Sequence, residues 1–319
     1  MQATQEPAMA QRMALPSRKA MAALAATAAL ALVPVAGSQA MTLEFTNVLI
    51  FVLFATSLNL VVGGAGMISM GHAALFAIGG YMGAFAGKAL GLGLPSAFAL
   101  GIGAATLAAL VIGALSIRLA HAYFIMLTLA FGQLVYTVIW KWREVTGGDD
   151  GYVGVTPPAA LLGADAYYWF TLAVVGACLL FLWRLSRSPF GEILAALRDN
   201  PSRAAAIGVN LYRYRLAAFV LSGAFCGVAG VLQAYFSRGM FAEAAHFATS
   251  SGALVAILLG GAQSFFGPIL GGAVFVLFKS AAGTVTPYWP LMLGILICVV
   301  AISRPDGLLV GRSPTGGRP

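Results

Sequence analysis

A chain of 319 residues that is 60% hydrophobic and 9% charged, with a mean hydropathy of +0.91, falls far from the roughly 25% charged content of soluble globular domains, which excludes a water-soluble fold. Its apolar runs last about 16 to 22 residues, too long for the roughly 10-residue alternating strands of a membrane barrel, so helices that satisfy their own backbone are expected. The formal charge of +8 does not mark a nucleic-acid binder, because the cations are scattered between the apolar runs.

In chain order, residues 1–19 read as a polar N-terminal tail. The run 20–36 follows Arg18 and Lys19 and ends in Gly37-Ser38-Gln39-Ala40, so it reads either as a first span or as a cleavable signal peptide. Further spans are expected at 45–62, 71–90, 96–116, 122–140, 166–183, 215–236, 248–262, 267–282 and 288–303. The expected fold is therefore an all-α, polytopic transmembrane bundle of about 8 to 10 spans over residues 20–303, closed by a polar tail at 304–319. Cys178, Cys226 and Cys298 each sit inside an apolar run without metal-ligand spacing, as packing thiols do.

Orientation follows the cations. With the N-terminus inside, thirteen fall on inner segments: Arg12, Arg18, Lys19, Arg118, Arg184, Arg187, Arg198, Arg203, Arg213, Arg215, Arg304, Arg312 and Arg318. Five fall on outer ones: Lys88, Lys141, Arg143, Arg238 and Lys279. This split places both tails and a loop at 184–214 in the cytoplasm.

Within that loop the stretch ALRDNPSRAAAIGVN, residues 196–210, is polar and marked by a proline. Asn200 suits an N-cap, Pro201 the first helical position and Gly208 a left-handed C-terminal residue. A two-turn helix from Pro201 to about Ile207 is expected, after a helical run from Gly191 to Asp199. So short a helix does not hold alone in water. It either lies on lipid headgroups as a connector or docks onto a partner.

Glycine interrupts the apolar pattern twice, at Gly63, Gly64, Gly66 and Gly71 and again in LGGAQSFFGPILGGA, residues 259–273. Paired interruptions in two halves are a pointer to an inverted repeat with transport at its interface, although dense glycine also serves plain helix packing. Asn59, Ser69, His72, Thr128, Gln133 and Tyr136 are the polar residues within spans, and they are candidates for the substrate path or for interhelical hydrogen bonds. No Asp or Glu falls within an expected span, which counts against a proton-driven carrier and with it the alternative reading, an ion-coupled secondary transporter of small solutes complete in one chain.

Four stretches carry a family resemblance: SLNLVVGGAGMISMGHAALFAIGGYMGA from Ser57, YFIMLTLAFGQLVY with TGGDDG between Tyr123 and Gly151, SPFGEILAALRDNPSRAAAIGVNLYRYRLAAFVLSGAFCGVAGVL from Ser188, and SRPDGLLVGR from Ser303. Together they resemble the permease subunits of ABC importers of the branched-chain amino acid type. The resemblance implies alternating access driven by two separate cytoplasmic ATPase subunits, a second related permease, an extracytoplasmic solute-binding protein facing the acidic outer loop 141–167, and residence in a bacterial inner membrane. It places the coupling to the ATPase on Arg198, Asp199, Asn200, Pro201, Ser202, Arg203, Ala204 and Gly208. The alanines would keep the helix thin enough for a cleft, with Arg198 and Arg203 at its acidic rim. It also implies that this chain binds no cofactor or metal and that ATP is held by partners. The sequence agrees, since the one Gly-Lys pair, Gly87-Lys88, is followed by Ala89 and has Met82 where a phosphate-binding loop needs its first glycine. No catalytic elbow or metal-ligating histidine pair is present, so an enzyme is not expected.

Overall fold

The computed structural model describes residues 38–119 and 121–303. The run at 20–36 and both expected tails lie outside the described residues. In order, the helices are α1 Gln39–Asn59, α2 His72–Lys88, α3 Leu94–Ser116, α4 His121–Lys141, a single turn α5 Arg143–Thr146, α6 Ala164–Ser186, α7 Pro189–Asp199, α8 Pro201–Ala206, α9 Leu211–Phe236, α10 Phe247–Gly260, α11 Gly267–Val285 and α12 Trp289–Ser303. All nine of the expected spans that can be compared are helices.

Six of them are long and apolar enough to cross a membrane: α1 with the turn that follows it, α3, α4, α6, α9 and α11. The chain is a multi-pass membrane protein. α2, α10 and α12 are shorter, at 17, 14 and 15 residues, against the roughly 20 that span a bilayer. α2 and α10 each follow irregular backbone packed against neighbouring helices, and only such enclosure lets unpaired backbone persist at membrane depth.

Ser38 sets the start of α1: its hydroxyl accepts from the Met41 amide at 3.4 Å. The helix therefore begins six residues before the expected span, and Glu44 lies inside it, taking a hydrogen bond from the Ser280 hydroxyl of α11 at 2.9 Å. This corrects the expectation that no carboxylate falls within a span.

The core forms where α2, α3 and α9 press backbone against backbone. A Cβ added at Gly230 would lie 2.0 Å from the Phe76 carbonyl oxygen, and one at Gly79 would lie 2.5 Å from the Gly227 Cα. Small residues permit this approach, and in lipid, where apolar burial gives helices little reason to associate, close packing is what joins them. α1 runs beside this core, buried from Val48 to Asn59 except at the half-buried Phe51, and packs on α6, α9, α10 and α11. At the far end of α2, Lys88 donates to the Val153 carbonyl at 2.8 Å, beside a short antiparallel pair of strands, β1 Tyr152–Val153 and β2 Gly239–Met240.

Adding one methyl at the core, Gly230→Ala, should cost about 1–3 kcal/mol through overpacking and lower the midpoint of thermal unfolding in detergent. Gly176→Ala in α6, where an added Cβ meets nothing within 4 Å, should leave that midpoint unchanged or raise it.

Candidate functional site

The two glycine-interrupted segments become two broken helices that touch. α1 does not end cleanly at Asn59 but widens into a π-helical turn, Leu60–Gly64, of the kind often found at functional positions. Beyond it the Gly66 amide bonds the Val62 carbonyl at 3.2 Å, and the Met67 amide reaches back to the Val61 carbonyl at 3.0 Å. The Gly63 carbonyl is thereby left without a backbone partner, as helix C-termini leave their last carbonyls. Gly66 turns the chain at a φ of 69°. In the second break α10 ends at Gly260, Gly261 takes a φ of 101°, and α11 starts at Gly267. Each break carries the tripeptide Gly-Gly-Ala, at 63–65 and 260–262. A Cβ on Gly63 would lie 2.0 Å from the Ala262 carbonyl oxygen, so only glycine allows the two to meet.

Hydroxyls and one imidazole hold the far side of the first break. His72, fully buried, has Nδ1 2.8 Å from Ser69 Oγ and Nε2 2.9 Å from Ser222 Oγ on α9. Ser222 donates in turn to the Ser57 carbonyl of α1 at 2.6 Å. Thr128 of α4 accepts from the Met70 amide at 3.3 Å, and Ser250 of α10 accepts from the Ala73 amide at 2.8 Å. Ser69, His72 and Thr128 are thus brought together, each enclosed and partnered. Gln133 is exposed on α4, and Tyr136, half-buried there, meets the His246 ring edge-on at 5.2 Å. Asn59 stands apart: its Oδ1 is buried without a partner and lines a cavity of about 260 Å³ between α1, α6, α7 and the second break.

The 187–210 loop closes over that cavity. Asn200 accepts from the Arg203 amide at 2.9 Å and so caps α8, Pro201 opens the helix, and Gly208 takes a φ of 90°. α7 precedes it with Leu194 and Leu197 fully buried against the bundle. Ala204 also faces inward, whereas Ser202, Arg203, Ala205 and Ala206 face out. Arg198 is drawn inward too. Its Nη1 donates to the Gly63 carbonyl at 2.8 Å and its Nε to Asp199 at 2.9 Å.

Ile207 was not among the residues singled out from the sequence, yet it stands 76% exposed at the tip of the loop. The available signal was a bulky apolar residue in an otherwise polar segment. Among the described residues no group of three or more His, Cys, Asp or Glu is placed to hold a metal ion.

His72→Ala should take one buried hydrogen bond each from the Ser69 and Ser222 hydroxyls and destabilise the protein by about 1–3 kcal/mol. Thermal unfolding checks the loss. The pH profile of any transport activity should keep its shape, since the ring touches hydroxyls and no carboxylate.

Residues 41–301 match the family described as the permease component of the branched-chain amino acid transport system. The high-affinity branched-chain amino acid transport permease LivM of Escherichia coli is 30% identical over 83% of this chain and 68% of its own length. LivM of Salmonella typhimurium is 29% identical over the same shares. A probable branched-chain amino acid permease LivM of Methanocaldococcus jannaschii is 25% identical over 61% of each chain. No solved structure gives a significant match.

Proposed function

The chain belongs to the family of branched-chain amino acid transport permease components, and from that premise we propose that it is the membrane-spanning subunit of an ABC importer. Its partners are a second related permease, two cytoplasmic ATPase subunits and an extracytoplasmic solute-binding protein. It resides in a bacterial inner membrane with the 187–210 loop in the cytoplasm. The solute is a branched-chain amino acid or a related small polar molecule such as urea or an amide, chosen largely by the binding protein.

One observation carries this reading. The loop holds a capped helix whose inner face is anchored by Ala204 while Arg203 and Ile207 project outward. An apolar side chain left exposed at the tip of the loop calls for a surface that covers it. A groove on an ATPase subunit would bury it and meet Arg203 with acidic groups. ATP closing the ATPase pair then pulls on α7 and α8, and the bundle reopens toward the other side. Asn59, whose unpartnered Oδ1 borders the cavity, the exposed Gln133 and the half-buried Tyr136 are assigned to the solute path. Ser69, His72 and Thr128 hold the break that shapes it.

Ile207→Asp should cut co-purification of the ATPase subunits at least about tenfold, while the permease still inserts in the membrane and keeps its thermal stability. Undiminished association would contradict the coupling role of the loop.

A further inference from the structure

Arg198 does not behave as a residue at the rim of a partner's groove. On α7 it lies in the stripe of Leu194 and Leu197, four and one residues before it, that turns toward the bundle. Its side chain is 27% exposed. Its guanidinium caps α1 from an element 135 residues away in sequence, by taking the carbonyl of Gly63 that the π-helical turn leaves over. The pairing is charge-assisted and sits at the negative end of the α1 dipole. Asp199 holds the other edge of the guanidinium.

The rest of the residue is fitted as closely. A Cβ on Gly66 would lie 2.9 Å from Arg198 Cγ and 3.3 Å from its Cα, so the missing side chain of Gly66 leaves the seat in which the arginine lies. Leu194 lies against Gly64, with 3.7 Å between its Cδ1 and an added Cβ there. Gly63 in turn rests on Ala262 of the second break. Loop, first break and second break therefore form one contiguous line of contacts. Beside it lies the cavity of about 260 Å³, bordered by Asn59 and its unpartnered Oδ1, which leaves room for the line to shift.

We propose that Arg198 is the positioning residue that transmits the loop's movement to the membrane spans, by capping the Gly63 carbonyl and so tying α7 to both broken helices. The proposal rests on the coupling-loop reading and gives Arg198 an inward role in place of contact with the ATPase. Removing the tie should leave the ATPase seated and hydrolysing while transport stops. Movement of the loop would then no longer reach the breaks.

The test uses the complete importer in vesicles, with three readouts: ATPase co-purification, ATP hydrolysis and solute uptake. Arg198→Met, which keeps the apolar stem but has no donor, should retain association and hydrolysis within about twofold of the parent and lose uptake about tenfold or more, as expected for a lost charge-assisted hydrogen bond. Arg198→Lys, which keeps a cationic donor, should recover most of the uptake. Uptake by Arg198→Met within about twofold of the parent overturns the proposal and leaves the coupling-loop reading intact. Loss of co-purification in Arg198→Met, with normal insertion, makes Arg198 a docking residue and also overturns it. Should Arg198→Met fail to insert, Gly66→Ala decides, since it keeps the arginine but closes its seat: the same split of hydrolysis from uptake supports the proposal, and normal uptake refutes it. A parent permease that retains no ATPase would sink the coupling-loop reading and this inference together.

Discussion

In the hydrocarbon of a membrane every backbone amide and carbonyl must find a partner inside the protein. α1 breaks that economy on purpose-built ground. Its last turn widens at Leu60–Gly64, the chain turns at Gly66, and the Gly63 carbonyl is released from the helix. What surrounds the break can be understood as the means of satisfying it. Arg198 takes the freed carbonyl, Thr128 and Ser250 accept the amides of Met70 and Ala73, and His72 bridges Ser69 to Ser222. Those partners come from α4, α7, α9 and α10, so a local irregularity becomes the place where much of the bundle is joined.

Packing divides the molecule accordingly. α2, α3 and α9 meet through glycines at distances that admit no side chain, and this part has one tight arrangement. The contact between Gly63 and Ala262 is equally close but lies between two irregular segments next to a cavity. A transporter needs both kinds of region: a rigid body that keeps its shape and a seam along which it can move. The loop sits on the seam. Its inner face is buried through Leu194, Leu197 and Ala204, and its tip at Ile207 is free.

Much of this arrangement was legible in the sequence because it depends on neighbours along the chain. Asn200, Pro201 and Gly208 encode α8 through capping and backbone preference within nine residues, and the long apolar runs encode the spans. The two Gly-Gly-Ala interruptions were visible as breaks in that pattern. Depth and facing were not. Whether Ala204 or Ala205 turns inward depends on the angle at which α8 meets the bundle. The roles of His72 and Arg198 depend on Ser222 and Gly63, which lie 150 and 135 residues away. Glu44 entered α1 because the Ser38 cap starts the helix at Gln39, six residues before the apolar run that marks the span.

Energy supply is the claim on which the functional account stands. The direct measurement is solute uptake into vesicles holding the permease pair, the ATPases and the binding protein, with ATP supplied and the proton gradient collapsed by an uncoupler. Uptake that persists under these conditions and stops when ATP is withdrawn is the result predicted for a permease worked through its 187–210 loop. Uptake that stops with the gradient despite ATP would contradict it, and would turn attention to Glu44 and Ser280 as parts of an ion-coupled carrier.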